Sequence, residues 1–581
     1  MLLLLLLLQD SPESALYGKC DSEIPWISDG TVLHDAEQLG NRPGNWRVDR
    51  RMLLARAREK AAQQKRLVLW YCPRTYGGHM NRAQVLDQYM KVVVFTDPAV
   101  VELVRDRFVP LRMCCDPDVA GDLKLRRFEF VEPGFLILSA DGKVLHRIDR
   151  LRTFNAAWVR DVLAAVLKKF DPAHAPKDAP KDPPGLELLR SDKLDEAREA
   201  FVKDGSAESL YHLSYLDSIT GLDPAPRWRE LVEKHAGTRW AWRAAANLVR
   251  GADTLPDGPM AHRFEDLSHP PVTGLPTSTR LPAKDADSAA RRAVRFLLRA
   301  QAPDGSWNDS RYVYCPDPAI LPNVFVAVTA LAALALVEWG EGGPALDRAD
   351  AFLREEKNLA RGKNEECYAE AYRLLYFARK KDVRAMNASV AKLAGIQDRS
   401  GLWAHEYPNP FATAAVVHSL AVARKAGADV PDATLSRAAK GIAAVRAKDG
   451  PRFAYSRGPA SSEKNSMARS AMCELALLEC GAGTRESVAA AVESYWKHLD
   501  RLEAVRVADF HADEELGGFF FFHGVFHTCE AAAAIGDAKS KRRFVEQLLS
   551  IAEIDGSFID SHELGKGYGT AMALLVLRRT R

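Results

Sequence analysis

Two segments of this chain obey one pattern. Gln301-Ala302-Pro303-Asp304-Gly305-Ser306-Trp307 and Gln397-Asp398-Arg399-Ser400-Gly401-Leu402-Trp403 both read Gln-x-x-x-Gly-x-Trp. They start 96 residues apart, twice a span of about 48 that suits one helical hairpin. Each follows a segment of helical pattern (289–300 and 385–396) and precedes an Ala-rich apolar one (323–339 and 412–426). Degenerate copies stand at Lys448-Asp449-Gly450-Pro451-Arg452-Phe453 and Asp555-Gly556-Ser557-Phe558, again ahead of Ala-rich helices (466–480 and 569–578). Two further hairpins, around 367–379 and 522–535, keep the helices without the motif. One hairpin cannot bury its apolar face alone, so stacked neighbours must share a core. Six of them are enough to close on themselves. In each motif glycine permits a tight turn, and the Trp ring and Gln amide are placed to tie that turn to a neighbouring helix.

This pattern and period resemble the structural repeat of squalene and oxidosqualene cyclases, across about 290 residues. The resemblance implies an all-α (α/α)6 toroid of the terpenoid cyclase and prenyltransferase kind over 285–581. It does not carry over the chemistry of those families. Squalene-type cyclases protonate an alkene with Asp-x-Asp-Asp. The nearest string here, Asp285-Ala286-Asp287-Ser288, lacks the last aspartate and precedes the first repeat. The Asp-Asp-x-x-Asp of magnesium-dependent terpene synthases is missing, and the Asp, Cys and His zinc ligands of prenyltransferases find no counterparts.

Upstream, the pattern changes. Residues 45–170 alternate helix and strand: a helix over 48–64, a buried strand at 67–71, a helix opened by Asp97-Pro98, a strand at 108–113, a hairpin around Asp141-Gly142, and a closing helix over 155–169. Aspartate before proline is a strong helix start, and Asp-Gly a strong hairpin turn. This order resembles the thioredoxin fold, with Pro133 where that family places its cis-proline, just before the hairpin. The family's Cys-Gly-Pro-Cys is replaced by Tyr76-Gly77-Gly78-His79, and Cys72 at the strand end has no resolving partner two positions away. Disulfide exchange by the usual route needs a thiolate and a second thiol nearby. The resemblance therefore implies a thioredoxin-like module without its redox chemistry, in which Cys72, Tyr76, His79 and Pro133 mark the degenerate site.

The remaining segments link these parts. Residues 171–185, DPAHAPKDAPKDPPG, read as an extended Pro-rich linker. A helical spacer follows over 186–250, where Lys193 to Phe201 look like one tetratricopeptide helix. Residues 251–284 form an irregular connection. The first segment, 1–44, opens with Met1 and Leu2 to Leu8, the size of a signal-peptide apolar region but without a preceding Lys or Arg. It is expected to be a signal or a disordered terminus, so the chain is either exported to the periplasm or cytoplasmic. No stretch reaches the roughly 20 apolar residues of a membrane span; 324–337 reads as a buried helix. The whole arrangement resembles multidomain bacterial proteins of the planctomycete type, a likeness that implies architecture and no activity.

The 581 residues carry a net charge of +3, which offers no footprint for nucleic acid. The nine cysteines include no Cys-x-x-Cys pair, so neither a zinc ribbon nor a dithiol site is expected. Residues at the starts of the inner helices should line the toroid cavity: Glu366, Tyr368, Glu370, His405, Tyr407, Ser466, Arg469, His523, His527 and Tyr568. His523 and His527 stand at i, i+4 with Glu530 at i+7, a spacing compatible with zinc, although a polar lining is the expectation and no cofactor is predicted. The function expected is a non-catalytic binding or scaffold protein whose cavity takes a peptide, a protein segment or a lipid-like ligand. The alternatives are a diverged cyclase- or prenyltransferase-like enzyme and a single-cysteine redox protein acting through Cys72. The purified chain should not accelerate the reduction of insulin disulfides by dithiothreitol. Turnover that disappears in Cys72→Ser would refute that.

Overall fold

The computed structural model describes residues 11–28, 50–73, 85–115, 117–125, 133–149, 151–177, 182–249, 263–281, 283–310, 320–358, 364–506, 521–560 and 564–581. The Leu-rich opening, Tyr76 and His79 lie outside these residues. The described chain divides into two compact units, one ending at Thr279 and one running from Arg280 to Arg581.

The first unit is built on a four-stranded sheet. Strands β1 (Leu67–Cys72), β2 (Phe108–Arg112), β3 (Gly134–Leu138) and β4 (Val144–Ile148) lie in the order β2-β1-β3-β4. β1 runs parallel to β2 and antiparallel to β3, and β3 and β4 form a hairpin. β1 reads LVLWYC and is buried throughout, as a central strand covered on both faces must be. Successive side chains alternate between the faces. Val68, Trp70 and Cys72 join Leu53, Ala57 and Ala61 of helix Arg50–Gln64 in one core. Tyr71 and Phe135 meet Phe95 on the other side, at ring distances of 4.8 and 6.3 Å. Asp97 caps helix Pro98–Arg107 by accepting from the Ala99 and Val100 amides at 3.0 and 3.2 Å.

Three expectations change here. Residues 11–28, assigned to a signal or disordered segment, are folded into this unit. Leu16, Ile24 and Ile27 are buried, and Ile27 exchanges backbone hydrogen bonds with Pro110 and Arg112 at 2.9 Å each. This segment therefore covers the edge of β2, which would otherwise present unpaired backbone groups. The Pro-rich linker contains a short 3-10 turn, Pro172–His174, and is followed by five helices from Pro184–Arg190 to Arg239–Ala246. These share one compact unit with the sheet instead of forming a separate domain. Part of the irregular connection also returns to the sheet, where the Asp149 amide donates to the Thr277 carbonyl at 2.7 Å.

The second unit is a series of helical hairpins. Its outer helices are Ala286–Ala300, Gly343–Arg354, Val383–Gly395, Asp432–Ala444, Arg485–Lys497 and Ala538–Ile551. The inner helices that follow them are Ile320–Trp339, Glu366–Lys380, Pro410–Lys425, Glu463–Glu479, Phe521–Ile535 and Gly565–Thr580. Each inner helix packs against the next, and the sixth packs against the first. The neighbour contacts thus form a closed circuit among the described residues. The first inner helix contains the apolar 324–337 run and ends at Trp339, where the 323–339 helix was expected to end. Its segment Leu321–Trp339 is long and apolar enough to cross a membrane, but 72% of it is buried inside the unit, so its apolarity serves the core.

The repeated motifs make the same bonds. The Gly305, Gly401 and Gly556 amides donate to the carbonyls of Ala302, Asp398 and Glu553 at 2.9, 2.9 and 3.0 Å. All three glycines have left-handed backbones, with φ of +90°, +85° and +85°. A Cβ on them would lie 2.2, 2.1 and 2.6 Å from the carbonyl oxygens of Arg348, Arg437 and Arg292. Each of those arginines belongs to the outer helix of the following hairpin, and Arg292 belongs to the first. Gln301 Nε2 bonds Ala345 O at 2.8 Å and Gln397 Nε2 bonds Thr434 O at 3.1 Å, again on the following outer helix. The indole N–H groups of Trp307 and Trp403 donate backward to Leu297 O and Leu393 O at 2.9 and 2.8 Å. The backbone amides of Trp307, Trp403 and Phe558 donate to the hydroxyls of Thr329, Thr413 and Thr570 on their own inner helices, at 3.0, 2.8 and 3.0 Å.

Trp403→Ala should therefore cost about 3–5 kcal/mol in denaturant unfolding, because the ring is fully buried. Gly401→Ala should destabilise more than Gly427→Ala. Both glycines have positive φ, but only the first meets a neighbouring carbonyl, while the second faces open space. Equal losses at the two glycines would contradict the assigned role of the turn.

Candidate functional site

The residue two places after the motif aromatic reaches the start of the preceding inner helix. Asp309 accepts from the Lys566 and Gly567 amides at 2.6 and 3.0 Å. Asp560 accepts from the Phe521 and Phe522 amides at 3.2 and 2.6 Å. His405 occupies the same position after Trp403. Its carbonyl accepts from the Glu365 amide at 2.9 Å, and its Nδ1 lies 3.1 Å from Glu365 Oε1. Carboxylates satisfy orphan helix N–H groups, so two of these three junctions are capped directly. At the third, a histidine instead holds a glutamate at the helix start.

A pit lies beside that junction. A cavity of about 40 Å³ is lined by Val324, Ala327, Val328, Glu365, Tyr368, Tyr372, His523, Leu564 and Tyr568, space for a few water-sized groups. Its walls come from the N-terminal halves of the first, second, fifth and sixth inner helices and the residues just before them. Tyr368 and Tyr372 stack at 5.8 Å, and Tyr368 meets His523 edge-on at 5.6 Å. Burial pushes all three phenols well above their ordinary range, so they remain neutral. Burial, and then the charge of His405, pushes His523 down to about 3. It is therefore a neutral imidazole at pH 7. Glu365 is 7% exposed and holds a left-handed backbone, φ +61°, an uncommon conformation for a residue with a side chain.

Of the ten candidate cavity residues, Tyr368, His523 and Tyr568 line this pit. His405 stands behind it through Glu365, and Tyr407 packs on His405 at 5.0 Å. The others face elsewhere. Glu370 bonds Arg373 at 2.9 Å and Lys392 at 3.0 Å, and Glu366 bonds Lys392 at 3.2 Å. Lys392 belongs to the third outer helix, so both carboxylates face outward. Arg469 donates to Phe453 O and Ser461 Oγ, tying down the irregular fourth turn. Ser466 is buried against Ser470, whose hydroxyl donates to its carbonyl at 2.9 Å. His527 is buried beside His523, 4.6 Å between rings. Glu530 turns away to Arg579 at 2.7 Å. Among the described residues no three His, Cys, Asp or Glu side chains are gathered to hold a metal, so the spacing of His523, His527 and Glu530 does not translate into a preformed site.

The sequence reading missed Glu365, Tyr372 and Asp560. Tyr372 stands four residues after Tyr368, on the same helix face, and that spacing could have found it. Asp560 stands in the motif register of Asp309. In the first unit, Cys72 ends β1 directly opposite Gly134, next to buried Pro133. Its Sγ accepts from the Cys115 amide at 3.3 Å.

Burial pushes the Asp560 carboxyl from an ordinary 3.8 up to about 7, against the lowering effect of the two amides and Arg506. The folded state thus binds this proton more tightly than the unfolded chain, and stability falls as pH rises from about 4 to 7. Asp560→Asn removes that titration. The stability of the variant relative to wild type should improve steadily between those pH values and stay flat above. A difference constant from pH 4 to 8 would show that Asp560 does not titrate in this way. No protein-family model matches the chain, and no curated protein matches it in sequence.

Proposed function

We propose that the chain is a non-catalytic binding protein. In this reading the hairpin unit is an (α/α)6 toroid of the terpenoid cyclase and prenyltransferase kind, and the sheet belongs to a thioredoxin-like interaction module. The closed circuit of inner helices and the strand order β2-β1-β3-β4 support those assignments. The ligand site is the aromatic pit at the starts of the inner helices.

One observation carries the reading. Seven carboxyl groups around the ring are held by partners within the protein, whereas Glu406 beside His405 keeps one buried oxygen without a partner among the described residues. Glu365 is held by His405, Glu366 and Glu370 by Lys392, Glu474 by Arg446 at 2.6 Å, and Glu530 by Arg579. Asp309 and Asp560 cap helices. Carbocation chemistry needs a group that protonates or ionises the substrate and then a dry aromatic chamber. The pit supplies aromatic walls, but its about 40 Å³ is far below the size of a polyprenyl chain.

The test is incubation of the full-length protein with squalene and with geranylgeranyl diphosphate, with magnesium and zinc, followed by gas chromatography–mass spectrometry. Both substrates should be recovered unchanged. A cyclised or transferred product that is lost in His523→Ala would make the protein an enzyme.

A further inference from the structure

The pit sets a buried carboxyl group among aromatic faces. Glu365 is a buried carboxylate on its wall, held in a left-handed backbone by His405. Tyr368, Tyr372 and Tyr568 bring three phenol rings to the same small space. After burial, the charge of Glu365 is among the causes that raise each of these three phenols, which places all three within its field. The Tyr372 hydroxyl is buried without a hydrogen-bond partner among the described residues. No lysine or arginine is among the described lining residues. The opposing influences are His405, paired with Glu365 at 3.1 Å, and the inner-helix N-termini near the pit, each equivalent to roughly half a positive charge. Asp309 and Asp560 already occupy the sixth and fifth of these, Asp560 only partly ionised at pH 7, and Glu365 stands just before the second.

A carboxylate beside aromatic faces in a water-poor recess is the chemistry that recognises a cation. The size selects which one. About 40 Å³ suits a small head group better than a bulky quaternary ammonium. We propose that the pit takes a primary alkylammonium group, its N–H donors shared between Glu365 and the Tyr372 hydroxyl and its charge set against the tyrosine faces. This rests on the reading of the pit as a ligand site.

Isothermal titration of the full-length protein at pH 7 with n-butylammonium and with 1-butanol, its uncharged counterpart, separates the two ideas. The amine should bind roughly tenfold or more tightly than the alcohol. Glu365→Gln should remove that preference, and Tyr372→Leu should weaken the amine if the glutamine variant fails to fold. A capped Gly-Lys-Gly peptide distinguishes a lysine side chain from a free amine, since binding of either supports the same chemistry. Alcohol binding as tight as the amine would overturn the charge inference and leave the ligand site standing. Binding of none of the three would overturn both.

Discussion

The second unit depends on a glycine pressed against a carbonyl. At Gly305, Gly401 and Gly556 the turn approaches the following outer helix so closely that a Cβ would overlap its backbone oxygen. That approach sets the distance between hairpins. It also delivers the Gln amide to the outer helix and the aromatic ring into the seam between layers. The same turn then directs the residue two places further on to the start of the preceding inner helix. Each motif therefore touches three hairpins, which lets a local seven-residue pattern order about 300 residues.

Closure follows from applying this rule at both ends. The sixth turn meets Arg292 of the first outer helix, whose guanidinium donates to Glu553 O and Ile554 O at 2.8 and 2.6 Å. Asp309, from the first motif, caps the sixth inner helix. The Trp339 indole donates to Leu574 O at 3.0 Å, and Arg579 bonds Glu530 on the fifth inner helix. These bonds span 235 to 262 residues of sequence or join neighbouring hairpins near the chain end. Chain connectivity supplies none of the bonds between the first and sixth hairpins, so ring closure is a tertiary event that local helix propensity cannot secure.

The helices, the turns and their period were legible in sequence because they are local and repetitive. Gln301, Gly305, Trp307, Gln397, Gly401 and Trp403 show their roles through spacing alone. The site was only partly legible. Tyr368, His523 and Tyr568 follow from position at inner-helix starts, but Glu366 and Glu370 obey the same rule and face outward, because Lys392 on the neighbouring outer helix draws them there. Glu365 carries no sequence signal. Its place on the pit wall comes from a left-handed backbone and from a histidine 40 residues away. The folding of residues 11–28 onto β2 was hidden for a similar reason. A short segment with few apolar residues reads as disordered until the sheet edge it covers is known.

Hydrogen exchange of the first inner helix in a chain that stops at Gly536 tests ring closure most directly. In a closed circuit the sixth hairpin supports the first, so removing it should collapse the protection of Ile320–Trp339, about 200 residues away in sequence. In an open array of hairpins each repeat depends on its sequence neighbours alone. Protection of that helix unchanged from the full-length chain would contradict closure and the interior pit that depends on it.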